Sequence, residues 1–159
     1  MIISIDGPAA SGKSTTARLL AKKLDFIHLN TGLYYRAITY IFIKNNLFDS
    51  NQSSIDDFFN KNNIELKGES LNQVYWNEIN ISSFLFENIV NEKIHITSNN
   101  PIIRKKLVSM QRLIGQDNNI VCEGRDIGSV VFPNADFKFF LVADLKSPSF
   151  VIIMIPDVS

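Results

Sequence analysis

Apolar and polar positions follow two different periods along this chain. Ile2-Ile3-Ser4-Ile5-Asp6 is a nearly unbroken apolar run and predicts a buried strand. A turn rich in Gly, Pro, Ala and Ser follows. Ala17, Leu20, Ala21 and Leu24 then recur at helical spacing. Phe26-Ile27-His28-Leu29 predicts a second short strand. Thr31 stands where it can cap a helix reaching about Asn45, with Leu33, Ala37 and Ile41 beside Ile38 and Phe42 as its apolar rows. Ser54-Ile55-Asp56-Asp57 has the form of a capping box and predicts the opening of a short helix. Residues 64–66 and 73–76 predict short strands around a turn at Lys67-Gly68-Glu69. A helix is expected from Ser83 to about Thr97. Asn100 followed by Pro101 signals another, running to about Gly115. Residues 120–122 and 137–142 are apolar runs of the parallel-strand type.

Strands alternating with helices predict an α/β fold built on a parallel sheet. The stretch 48–97 breaks that rhythm and is expected to be a small insert within one domain covering 1–144. At 159 residues the chain can bury one sizeable core. Its 45% hydrophobic and 20% charged residues are an ordinary globular composition.

Sixteen basic residues balance sixteen acidic ones, so no long-range positive field is available to hold polymeric nucleic acid or an anionic membrane. An anionic ligand must be caught by a local site. The single cysteine, Cys122, forbids an intrachain disulfide and sits in an apolar run, which reads as core packing in a reducing compartment. No apolar run approaches bilayer length, and the start of the chain lacks the features of a secretory signal. The expected location is the cytoplasm.

Gly7-Pro8-Ala9-Ala10-Ser11-Gly12-Lys13-Ser14 fits G-x-x-x-x-G-K-[ST]. The glycines let backbone amides turn inward around phosphate oxygens. Lys13 brings a point charge to the β- and γ-phosphates, and the Ser14 hydroxyl can ligate Mg²⁺. The helix that follows aims its positive end at the same phosphates. The D-x-x-G and N-K-x-D motifs of guanine-nucleotide switches are absent from the sequence.

Two further polar clusters follow predicted strands. In Asn30-Thr31-Gly32-Leu33-Tyr34-Tyr35-Arg36, a threonine at a helix start precedes an arginine whose guanidinium suits a phosphate. In Glu123-Gly124-Arg125-Asp126, a glycine allows a sharp turn, Arg125 offers a phosphate partner and Asp126 an acceptor for sugar hydroxyls. Open α/β sheets bind ligands beyond the carboxyl ends of their strands. Three such clusters at three strand ends are expected to serve phosphoryl transfer, a chemistry of positioning and charge neutralisation.

The chain resembles the bacterial cytidylate kinases, a family of P-loop nucleoside monophosphate kinases, over roughly residues 1–144. The matching pieces are the run from Ile5 to Ser14, Thr31-Gly32 with Tyr35-Arg36, Pro101 with Arg104, Gln111-Arg112, and Gly124-Arg125-Asp126-Ile127-Gly128 leading into Val131-Phe132-Pro133-Asn134-Ala135-Asp136. The resemblance implies a three-layer P-loop fold, ATP-dependent phosphorylation of CMP or dCMP, and a monomer. It puts ATP on Gly7 to Ser14 and Thr15, with Mg²⁺ at Ser14. Lys13, Arg125 and Asp126 become the catalytic set. Arg36 and Arg125 would hold the acceptor phosphate, Thr31 and Asp126 would contact the sugar side, and Arg104 the cytosine, with Tyr35 in the same acceptor set. The stretch 48–97 would be an enlarged monophosphate-binding region.

The sequence also departs from the family. Asn30 and Glu123 stand where Asp is usual, and His95 where a base-contacting Ser is found. After Asp144 the family continues into an arginine-rich lid and a last strand and helix, whereas here no arginine follows Arg125. The tail 145–159 is unlike the family, and its run 150–155 could pair onto a sheet edge. The expectation is a truncated chain with slow turnover or none. Two alternatives stay open: a nucleotide-binding remnant without turnover, and a kinase for another small molecule.

Overall fold

A computed structural model describes residues 1–68, 70–143 and 150–154 of the chain. In chain order its elements are β1 (Ile2–Asp6), α1 (Lys13–Leu24), β2 (Ile27–Asn30), α2 (Gly32–Asn45), α3 (Gln52–Lys61), β3 (Ile64–Lys67), β4 (Gln73–Trp76) and β5 (Ile79–Asn80). After these come a 3₁₀ turn (Ser82–Phe84), α4 (Asn88–Asn99), α5 (Pro101–Gln116), β6 (Ile120–Gly124), a wide helical turn (Ile127–Val131), β7 (Phe137–Ala143) and β8 (Phe150–Met154). The chain divides into two compact units. One holds residues 1–31 and the described residues from 111 on, and the other holds residues 32–110.

The first unit is built on a five-stranded sheet in the order β2-β6-β1-β7-β8. β1 runs parallel to both β6 and β7, and β2 runs parallel to β6. The apolar run read at the amino terminus is buried because β1 is the middle strand. Helix α1 packs on this sheet through Ala17 and Ala21, whose small side chains one turn apart let the backbone approach Ile3, Ile5, Val121 and Leu141. The sheet is mixed, whereas a parallel sheet was expected, because β8 pairs antiparallel to β7, with Ala143 opposite Phe150. Only residues 144–149 separate the two strands, and a parallel return needs a crossover of a dozen residues or more. The apolar run of the tail therefore does pair onto the sheet edge through Phe150–Met154. The rest of the tail lies outside the described residues.

The register sets the site. Asp6 lies opposite Gly124, and Asn30 opposite Glu123, so the carboxyl ends of β1, β2 and β6 are level. The loop 7–12, Thr31 and Arg125-Asp126 each begin where one of these strands stops.

In the second unit α2 and α4 pack together, and the buried hydroxyls of Thr39 and Thr97 share a hydrogen bond of 2.6 Å. Phe42 meets Phe48 and Phe58 edge to face. β3, β4 and β5 form an antiparallel sheet. Helix α3 opens earlier than the capping-box pattern predicted: the Asn51 side chain accepts the Ser54 amide at 3.0 Å and is the true cap. The helix expected from Ser83 is broken. A 3₁₀ turn ends at Phe84, the chain buries Leu85, and α4 starts only at Asn88. Pro101 stands at the first position of α5 as expected, with the Asn100 side chain accepting the amides of Ile102 and Ile103. Among the described residues no helix is long and apolar enough to cross a membrane.

Candidate active site

The phosphate-loop motif occupies the turn between β1 and α1. Gly12 sits at φ 80°, a left-handed conformation open to glycine, and from it α1 starts. The first hydrogen bond of the helical ladder runs from the Thr16 amide to the Gly12 carbonyl at 3.0 Å. The amides of Lys13, Ser14 and Thr15 precede that ladder and mark the positive end of the helix. Lys13 Nζ folds back and donates to the Pro8 carbonyl at 2.9 Å. Burial lowers the Lys13 pKa below the ordinary lysine value, and Arg125 adds to the drop, while Glu123 and Asp6 oppose it. Ser11 is buried, and its hydroxyl has no hydrogen-bond partner among the described residues. An orphaned hydroxyl in a loop of this shape fits an oxyanion, to which it would donate.

The end of β6 closes against that loop. Glu123 is 1% exposed, and among the described residues each of its carboxylate oxygens has one partner. The Ser14 hydroxyl donates to Oε2 at 2.6 Å, and His28 Nε2 lies 3.0 Å from Oε1. The Glu123 carbonyl accepts both the amide of Thr31, at 3.2 Å, and its hydroxyl, at 2.8 Å. A methyl group at Gly124 would sit 2.7 Å from the Thr31 hydroxyl and 2.5 Å from Ile127 Cδ1, so only glycine lets the strand end approach this closely. Beyond it Arg125 is exposed, near enough to Lys13 to act on its charge, and Asp126 is half-buried.

Asp6 braces the same turn from β1. Its two oxygens accept the amides of Ile127 and Gly128 at 2.7 and 2.8 Å. Burial pushes the Asp6 carboxyl above the usual carboxylate value. The two amides and Lys13 pull against that rise, and Asp126 adds to it.

Tyr35, Arg36 and Arg104 belong to the second unit. Arg36 Nη1 donates to the Leu85 carbonyl at 3.0 Å and to Asn91 Oδ1 at 2.6 Å, and its guanidinium lies 4.7 Å from the centre of the Phe86 ring. Burial lowers its pKa. The break before α4 thus supplies the carbonyl and the ring that hold this arginine. Arg104 Nη1 donates to the Ser98 carbonyl at 3.3 Å, and Tyr35 is half-buried. His95 is exposed, its Nδ1 2.8 Å from the Glu92 carbonyl of its own helix.

A family profile described as cytidylate kinase matches residues 3–148. The chain belongs to the cytidylate kinase family. It is 41% identical over 143 residues to a cytidylate kinase of Fusobacterium nucleatum, covering 90% of this chain and 64% of that one. A cytidylate kinase of Listeria innocua is 41% identical over 144 residues, covering 91% and 64%. One from Caldanaerobacter subterraneus is 42% identical over 144 residues, covering 91% and 63%. The chain thus spans a little under two thirds of the length of the curated cytidylate kinases it matches.

Within this family's frame, the structure brings the phosphate loop, Thr31 and the Glu123-Gly124-Arg125-Asp126 cluster together in the first unit. The sequence pattern gave no role to Asp6, Glu123 or His28. Asp6 and Glu123 carried one legible signal, an acid at the end of an apolar strand. Cys122 is fully buried and burial raises its pKa well above the ordinary thiol value, which makes it core and not nucleophile.

Proposed function

We propose that this chain binds ATP on its phosphate loop and transfers the terminal phosphoryl group to CMP, with dCMP as a second acceptor. The observation that carries the reading is the loop itself: a complete motif between β1 and α1, with the lysine folded over it, an orphaned Ser11 hydroxyl inside it and the Ser14 hydroxyl tied to a buried carboxylate on β6. Family membership supports the choice of acceptor.

The residues fit a magnesium ion. The Ser14 hydroxyl gives its hydrogen to Glu123, which leaves oxygen lone pairs free, and hard oxygen donors are what this cation takes. Bound Mg²⁺ would neutralise charge on the β- and γ-phosphate oxygens. The protein's own groups do the rest. The amides at the start of α1 and the Ser11 hydroxyl hold phosphate oxygens. Lys13 leaves the Pro8 carbonyl to meet the transferring group. Arg125 adds positive charge beside Lys13 and, with Arg36, grips the acceptor phosphate. Thr31 and Asp126 take the sugar side, Arg104 the cytosine, and Tyr35 completes the acceptor set. Such an activity belongs in the cytoplasm, where nucleotides are interconverted.

Calorimetry with Mg·ATP tests the donor side: Lys13→Ala should weaken binding severely, and equal affinity in both proteins sinks the assignment. Competition among CMP, dCMP, AMP and GMP tests the acceptor side, where a preference for a purine removes the cytidylate reading. A coupled assay for ADP release with CMP reads the transfer itself.

A further inference from the structure

We propose that His28 is a positioning residue for the phosphate-loop site, acting through Glu123 on Ser14. The proposal rests on the reading of that loop as a Mg·ATP site. β2 and β6 are parallel neighbours with His28 opposite Val121, so Glu123, two residues on, lies diagonally from His28 on the same face of the sheet. The two side chains meet across that diagonal at 3.0 Å, at 11% and 2% side-chain exposure.

A glutamate has one more rotatable bond than an aspartate, and its terminal torsion is broad. With one oxygen held by Ser14 alone, the carboxylate could swing about that bond and carry the hydroxyl with it. Little water reaches a carboxylate this buried, so its second oxygen needs a protein donor. The His28 Nε2–H supplies it. Both oxygens are then fixed, and the Ser14 hydroxyl is left with a single orientation, its hydrogen on Glu123 and its lone pairs outward. Histidine serves here as an N–H donor that orders the partner of a metal ligand.

The test separates the metal-dependent part of nucleotide binding from the rest. Calorimetry measures ATP affinity with Mg²⁺ and with EDTA, in the wild type, His28→Phe and His28→Gln. Phenylalanine fills the space without a donor, and glutamine keeps an N–H. The expected result is a loss of about tenfold in the Mg²⁺-dependent gain for H28F, unchanged affinity in EDTA, and most of the gain restored in H28Q. An undiminished gain in H28F overturns the proposal. So does a parallel loss with and without Mg²⁺ in both variants, which marks a merely structural histidine, or a gain lost equally in H28Q. A wild-type chain that binds ATP under neither condition removes the phosphate-loop reading itself, and this proposal with it.

Discussion

The Asp6 carboxylate accepts the Gly128 amide at 2.8 Å across 122 positions of sequence. The bond joins the end of the first strand to the turn that follows Arg125-Asp126. Because burial raises the Asp6 pKa above its unfolded value of 3.8, the folded chain holds this proton more tightly than the unfolded one. Stability from this group is therefore greatest at low pH and falls as pH rises from about 3.8 through the raised value. Urea unfolding of wild type and Asp6→Asn across acidic to neutral pH should show the wild type losing ground to D6N as pH rises. A gap moving the other way refutes the assignment. Asp6→Ala, which strands two amides, should cost about 3 kcal/mol.

Lys13 should trade stability for binding. Burial lowers its pKa, so the folded chain binds fewer protons than the unfolded one, and stability rises as pH climbs through the window below 10.5. At neutral pH the charge is a cost to the free protein. Lys13→Met should raise the melting temperature without ligand by a few degrees at most and abolish the rise that Mg·ATP induces. A lower melting temperature for free K13M contradicts the argument.

Gly124→Ala should be destabilising by about 1–3 kcal/mol, since the new methyl meets Ile127 and Thr31. Adding Ile127→Val removes the Cδ1 atom in the way and should recover part of the loss. A double variant no more stable than G124A alone rules out this clash as the cause.

Arg36→Lys keeps the charge but not the planar guanidinium, whose Nη1 reaches Leu85 and Asn91 and whose plane lies against Phe86. Affinity for CMP should fall on the order of tenfold, while ATP affinity stays the same. Unchanged CMP affinity would take Arg36 out of the acceptor set.

What could be read from sequence divides by range. β1, α1 and the loop between them were legible because strand period, helix period and a contiguous motif coincide. The start of α3 was misplaced because Asn51 reaches an amide three residues on, outside the pattern that Ser54 suggested. The break at 85–87 was missed because its reason is tertiary: Leu85 is buried, and its carbonyl serves an arginine 49 positions earlier. The same holds for the Ser14–Glu123–His28 chain. Its links span 109 and 95 positions and depend on two strand registers that no local pattern encodes.

The strand order also carries a consequence for synthesis. β1 precedes its sheet neighbours in the chain, and both of them, β6 and β7, lie beyond residue 119. At ordinary translation rates the phosphate loop waits on the order of ten seconds for the strands that fix it. Until then five apolar-run residues stay unpaired, and the contacts that close the sheet are among the least local in the chain. The proposed nucleotide site is therefore begun with β1 and assembled only once β6 and β7 have been made.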